Sequence, residues 1–65
     1  MCESAVYLVS GDERTLVMQE AAKVMIVPEG VVCLDTLGER KLVEGAVLDE
    51  ANLVKHEILL KPGKG

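Results

Sequence analysis

A chain of 65 residues buries only about 60% of the surface it exposes when unfolded, so one small core and one domain are the most it can build. Seven Lys and Arg against eleven Asp and Glu leave a formal charge of -4, which repels a phosphate backbone and argues against nucleic acid as a partner. The hydrophobic fraction is 49% but Tyr7 is the sole aromatic residue, so the core must be packed from Val, Leu, Ile, Ala and Met. Scaffolds of this size are often completed by a disulfide, a metal or a second subunit, and a homodimer is expected.

Polar residues interrupt each apolar run well short of a membrane span, and no basic stretch followed by an apolar run of signal-peptide length is present. A cytoplasmic location is therefore expected. In that compartment Cys2 and Cys33 read as thiols, with an oxidised Cys2–Cys33 bridge as the alternative.

In chain order, short apolar segments alternate with turn signals at intervals of about ten residues, the spacing of a small all-β barrel or sandwich. Cys2 to Val9, with Ala5-Val6-Tyr7-Leu8-Val9 at its centre, predicts a first strand that ends at the compact turn Ser10-Gly11-Asp12-Glu13. Arg14 to Met18 is the return strand. Gln19 to Lys23 favours helix but is too short for an independent one, so a bend or a helical turn within the sheet is expected there. Val24 to Val27 predicts a third strand, stopped by Pro28-Glu29-Gly30, where proline fixes one dihedral and glycine permits the reversal.

Val31 to Leu34 follows as the next strand and Asp35-Thr36-Leu37-Gly38 as the next turn. Arg40 to Leu48 reads as one extended segment, with Leu42, Ala46 and Leu48 able to share a face by the two-residue period and Gly45 marking a bulge or sharp bend. Asp49 to His56 contains a turn and Ile58-Leu59-Leu60 closes the sheet. The sum is all-β: a closed or nearly closed small barrel of about six strands over residues 1–61, with 62–65 a flexible tail.

The concentration of donor atoms at the start of the chain, Met1-Cys2-Glu3-Ser4, is matched nowhere else in it. Thiolate is a soft ligand for transition metals. If Met1 is removed, the new amine and the Cys2 thiolate close a five-membered ring on a metal. If Met1 stays, its amine, the Cys2 amide nitrogen and the Cys2 sulfur form two fused rings. Either route gives a planar N,S donor set, which suits Ni(II) or Cu(II) better than the tetrahedral cage zinc prefers. One chain offers too few strong donors, whereas a two-fold dimer with adjacent termini presents two Cys2 sulfurs to one ion. On residue chemistry alone, an ordinary thiol at a strand start remains the commoner meaning of such a cysteine.

Family resemblance adds to this. Met1-Cys2-Glu3-Ser4, Val6-Tyr7-Leu8, Leu16-Val17-Met18, Pro28-Glu29-Gly30, Leu37-Gly38-Glu39 with Lys41 and Val43, and Asn52-Leu53-Val54-Lys55-His56, in that order and spacing, resemble the small CooT-type nickel-binding proteins from Met1 to about Leu60. The resemblance implies a cytoplasmic homodimer with an SH3-like β-barrel, associated with supplying nickel to carbon monoxide dehydrogenase. It also implies that the nickel ligand is the cysteine directly after the initiator methionine, which here is Cys2. The chain has no histidine-rich tail, so bulk nickel storage does not follow.

The remaining candidates have plainer readings. Cys33, inside an apolar strand, packs as a small hydrophobe. His56, the one histidine, sits between Lys55 and Glu57 at a turn, where a solvated imidazole is expected. Met18 and Met25 fill gaps in a core without large aromatics. The carboxylates Asp12, Glu13, Glu39, Glu44, Asp49, Glu50 and Glu57 form a solvated acidic surface, and Glu3 beside Cys2 modestly favours a cation. No nucleophile elbow, phosphate loop or Cys-x-x-Cys pair occurs, so enzymatic activity is not expected. Two rival functions remain at this level: a small-barrel RNA-binding module, which lacks its stacking platform and basic groove here, and a metal-free module that recruits a partner along a strand edge.

Overall fold

The computed structural model describes residues 3–63. They form six strands: β1 (Ser4–Ser10), β2 (Glu13–Val27), β3 (Gly30–Asp35), β4 (Arg40–Glu44), β5 (Ala46–Asn52) and β6 (Glu57–Pro62). The strands make one sheet in the order β4-β3-β2-β1-β6-β5, curled into a half-barrel, in agreement with the all-β barrel expected. No helix among the described residues is long and apolar enough to cross a membrane.

The turns at Gly11 and at Pro28-Glu29 generate the hairpins β1–β2 and β2–β3, both antiparallel. Between them lies the largest departure from the sequence reading. Residues 13–27 form one continuous strand of 15 residues, not two strands separated by a helical turn. The helix-favouring stretch is overridden because Ala21 is buried in the core and pairs on both sides, with Ser4 of β1 and Asp35 of β3. Tertiary pairing of this kind outweighs an intrinsic preference of a few tenths of a kcal/mol per residue. The expected bend survives in another form: register shifts occur at Ser4/Val6, at Val6/Tyr7 and at Ala21/Lys23. Each places the surplus residue in β2, so bulges bend this strand and curl the sheet.

The second departure is at Gly45. Arg40 to Leu48 is not one segment but parts of two strands, β4 and β5, which stand at opposite edges of the sheet. Gly45 joins them at a φ of 75°, a left-handed conformation that glycine adopts without steric cost. Its amide donates to the Glu29 carbonyl at 2.8 Å and its carbonyl accepts from the Gly63 amide at 2.6 Å. This corner is where the two edges of the curled sheet meet. The two-residue period does not carry through it: Ala46 is buried, whereas Leu42 and Leu48 are exposed, and Val43 packs on the core in place of Leu42.

β6 runs to Pro62, and Gly63 is tied to Gly45, so regular structure reaches past the expected boundary at residue 61. β6 pairs with β1 in parallel, Ala5 with Glu57 through Leu8 with Leu60. A parallel pair needs a long crossover, and here almost the whole chain supplies it. The core gathers Val6, Val31, Cys33 and Leu60, all fully buried, with Ala21 and Ala46. Met18 packs against this cluster, as expected of it. Met25 is half-buried and pairs with Val32, which in turn pairs with Leu42.

Candidate metal centre at the start of β1

Cys2, on which the metal reading rests, and Met1 before it lie outside the described residues. The structure describes β1, which begins at Ser4. β1 starts in the interior of the sheet, flanked by β2 on one side and β6 on the other. Ser4 pairs with Ala21, and the Ala5 amide donates to the carbonyl of His56 at 2.9 Å. β1 is thus held on both sides by its first two residues, Ser4 and Ala5.

Two turns border this start. The β5–β6 turn, residues 53–56, is shaped by local chemistry: the Lys55 amide donates to Asn52 Oδ1 at 3.0 Å, and His56 takes a left-handed φ of 57°, which histidine tolerates better than most residues. Glu57 follows at once, and its Oε2 accepts from Arg14 Nη2 at 3.0 Å. The same guanidinium lies 4.2 Å from the centroid of the Tyr7 ring, so β6, β1 and β2 are clasped on one face by an ion pair and a cation–π contact. On the other side, past Ala21, lies the β3–β4 turn. Asp35 Oδ1 accepts from the amides of Leu37 and Glu39, each at 2.9 Å, and the Asp35 amide donates to the Glu39 carbonyl at 2.8 Å. Such an aspartate-capped turn is rigid without further support.

The other candidates fall where their plainer readings put them. Cys33 is a free, fully buried thiol; burial pushes its pKa up, and the Lys41 ammonium across the β3–β4 pair draws it part of the way back. Its thiolate is therefore disfavoured, and thiolate is the form that binds metal. His56 is exposed, and its backbone meets β1 through its carbonyl. Among the described residues no group of three His, Cys, Asp or Glu side chains is placed to hold a metal ion. The described residues line open grooves of about 320 Å³ between Met18–Glu20 and Asp35–Leu37 and of about 240 Å³ beside the Gly45 corner. The first is lined by the polar side chains of Gln19, Glu20, Asp35 and Thr36 beside Met18 and Leu37, but no buried polar or charged side chain lies among the described residues.

The sequence reading missed that the two turns flank the N-terminal strand. The turn residues themselves carry a local signal, but their convergence depends on the parallel β1–β6 pairing, which has no local signature.

Fold and topology define a small six-stranded half-barrel whose N-terminal strand starts between two tight turns. The family described as CO dehydrogenase accessory protein CooT matches residues 1–61, and the chain belongs to the CooT family. Its fold is similar to the crystal structure of a candidate CooT from Carboxydothermus hydrogenoformans, at 30% identity and a TM-score of 0.86, over 97% of this chain and 100% of that one. No curated protein matches the chain.

Proposed function

We propose that this protein binds nickel(II) and supplies it for the maturation of carbon monoxide dehydrogenase, as a cytoplasmic metallochaperone and not as an enzyme. The observation that carries the reading is the CooT match over residues 1–61 on a chain whose second residue is cysteine. The Cys2 thiolate and the nitrogens beside it, the amine of Cys2 itself or the Met1 amine with the Cys2 amide, form the planar N,S set that Ni(II) accepts. Two copies of the chain, with Cys2 of each directed to one ion, complete four donors.

Such a site suits delivery. A closed cage of four protein ligands resists exchange, whereas few ligands at a chain end let an incoming thiol or imidazole displace them stepwise. The described residues nearest Cys2 in sequence are held in the sheet: Ser4 pairs with Ala21 and the Ala5 amide donates to the His56 carbonyl. The disfavoured Cys33 thiolate leaves Cys2 without a competing thiolate among the described residues. Native mass spectra with and without nickel test the proposal. One nickel per two chains is the expected composition, and a wild-type chain that retains no nickel would remove the proposal.

A further inference from the structure

The sheet ends at β4 on one side and at β5 on the other, and an edge strand presents a row of unpaired amides and carbonyls to any extended chain that meets it. The two edges differ. β5 carries a register shift between Leu48 and Glu50, and a bulge of this kind twists an edge away from further pairing. β4 pairs with β3 in unbroken register from Arg40 to Glu44, so its other side is regular.

Positive charge and apolar surface gather along this edge. Residues paired directly across strands share a face of the sheet, and successive residues alternate between faces. On the face turned away from the core, Lys23, Leu34 and Arg40 form one row and Met25, Val32 and Leu42 the next. Leu42, at the edge, is 46% exposed. The core face of β4 carries Lys41, opposite Cys33, and half-buried Val43, opposite Val31. Lys23, Arg40 and Lys41 are three of seven cations in a chain of net charge -4. None of them takes part in the ion pairs found among the described residues, Arg14 with Glu57 and Lys61 with Asp49.

We propose that β4 is a docking edge for an extended segment of a partner protein, apolar in its first half and acidic in its second, which adds to the sheet antiparallel to β4. The apolar residues stand opposite Val43 and Leu42, and the acidic ones opposite Lys41 and Arg40, with Lys23 one strand pair further in. The inference rests on the supply reading above for the partner's role, the protein that receives nickel from this one, and on β4 for its chemistry. Charge decides between this occupant and a second copy. Two β4 edges paired about Leu42 set Arg40 against Glu44 but Lys41 against Val43, which leaves Lys41 unmatched, whereas an acidic segment answers each cation of the edge.

The probe is the capped peptide Ser-Thr-Ile-Val-Glu-Glu-Ser, titrated without nickel into the full chain labelled with nitrogen-15. Amide shifts should centre on Arg40 to Glu44 and saturate with a Kd of about 1 mM or tighter. The same peptide with lysine for both glutamates should bind at least tenfold more weakly. Arg40→Glu with Lys41→Glu, folded by circular dichroism, should reverse that order and prefer the lysine peptide, a gain that a merely damaged edge would not give. No shift at several times that concentration, equal binding of the two peptides, or shifts centred on β5 would overturn the inference. So would a lower mass in solution for the charge-reversed variant than for wild type, which would assign the edge to a second copy. Because nickel is absent from the titration, a chain that retains no nickel would remove the supply reading and leave the β4 edge standing, and a silent peptide would do the reverse.

Discussion

The amide of Ala5 donates to the carbonyl of His56 at 2.9 Å, which ties the N-terminal strand to a turn formed about fifty residues later. The contact fixes where the start of β1 stands relative to the sole histidine. It involves the backbone of His56, whose ring is free to remain in water. Replacing His56 by Gly should therefore leave nickel stoichiometry unchanged. Stability should change by less than about 1 kcal/mol, because relief of the left-handed φ opposes the greater freedom glycine has when unfolded. Nickel titration followed by denaturant unfolding checks both points, and loss of nickel binding would make the imidazole a ligand.

Gly30 and Gly45 should respond differently to alanine. At Gly30, with φ of 154°, a Cβ would overlap the Val43 carbonyl oxygen and lie 2.9 Å from the Gly45 amide nitrogen, both backbone atoms that side-chain movement cannot relieve. Gly30→Ala should cost about 3 kcal/mol. At Gly45 nothing lies within 4 Å of the added atom, so only the left-handed backbone opposes it, at about 1 kcal/mol. Urea midpoints of the two variants give the order, and equal midpoints would contradict the tight approach at Gly30.

Leu60 is fully buried and central, paired with Leu8 of β1 and Leu48 of β5. Leu60→Ala should lose roughly 3 kcal/mol, the transfer and cavity cost of a core leucine. In a domain whose total stability is of order 5 kcal/mol, about 2 kcal/mol then remains, so a much lowered urea midpoint, read by circular dichroism, is the expected observation. A fully folded, equally stable variant would show that the core is centred elsewhere.

Cys33 carries a pH dependence. Burial raises its pKa, with Lys41 opposing, so the folded value lies above the unfolded value of about 8.5. The stability it contributes is complete below the unfolded value and is lost as pH rises through the folded one. In a Cys2→Ser background, the stability difference between Cys33 and Cys33→Ala should shrink as pH rises above the unfolded value of about 8.5. A difference that stays constant would place the thiol in water.

Much of the fold was legible in the sequence because it is local. Gly11 and Pro28-Glu29-Gly30 marked the two hairpins, and Val31 to Leu34 had the continuous apolar character of a strand covered on both faces. The continuity of β2 was hidden by Gln19 to Lys23, whose helical preference says nothing of the partners Ser4 and Asp35 that override it. Gly45 was legible as a bend, but not as the point where two edges of the sheet meet, since that depends on β6 lying beside β1. The site divides in the same way. Cys2 is visible as a thiol beside the N-terminal nitrogens, but only the family resemblance favours a metal there over an ordinary thiol. The turns beside the start of β1 are visible as turns, yet only the pairing of β1 with β2 and β6 brings them to one end of the sheet.

Nickel titration of the wild type beside Cys2→Ser, monitored by thiolate-to-nickel absorption and by metal content after desalting, tests the proposed function most directly. Wild type should saturate at one ion per two chains and show the thiolate band, while Cys2→Ser, with an unchanged far-ultraviolet spectrum, should retain none. Equal nickel uptake by the two proteins would contradict a site built on Cys2.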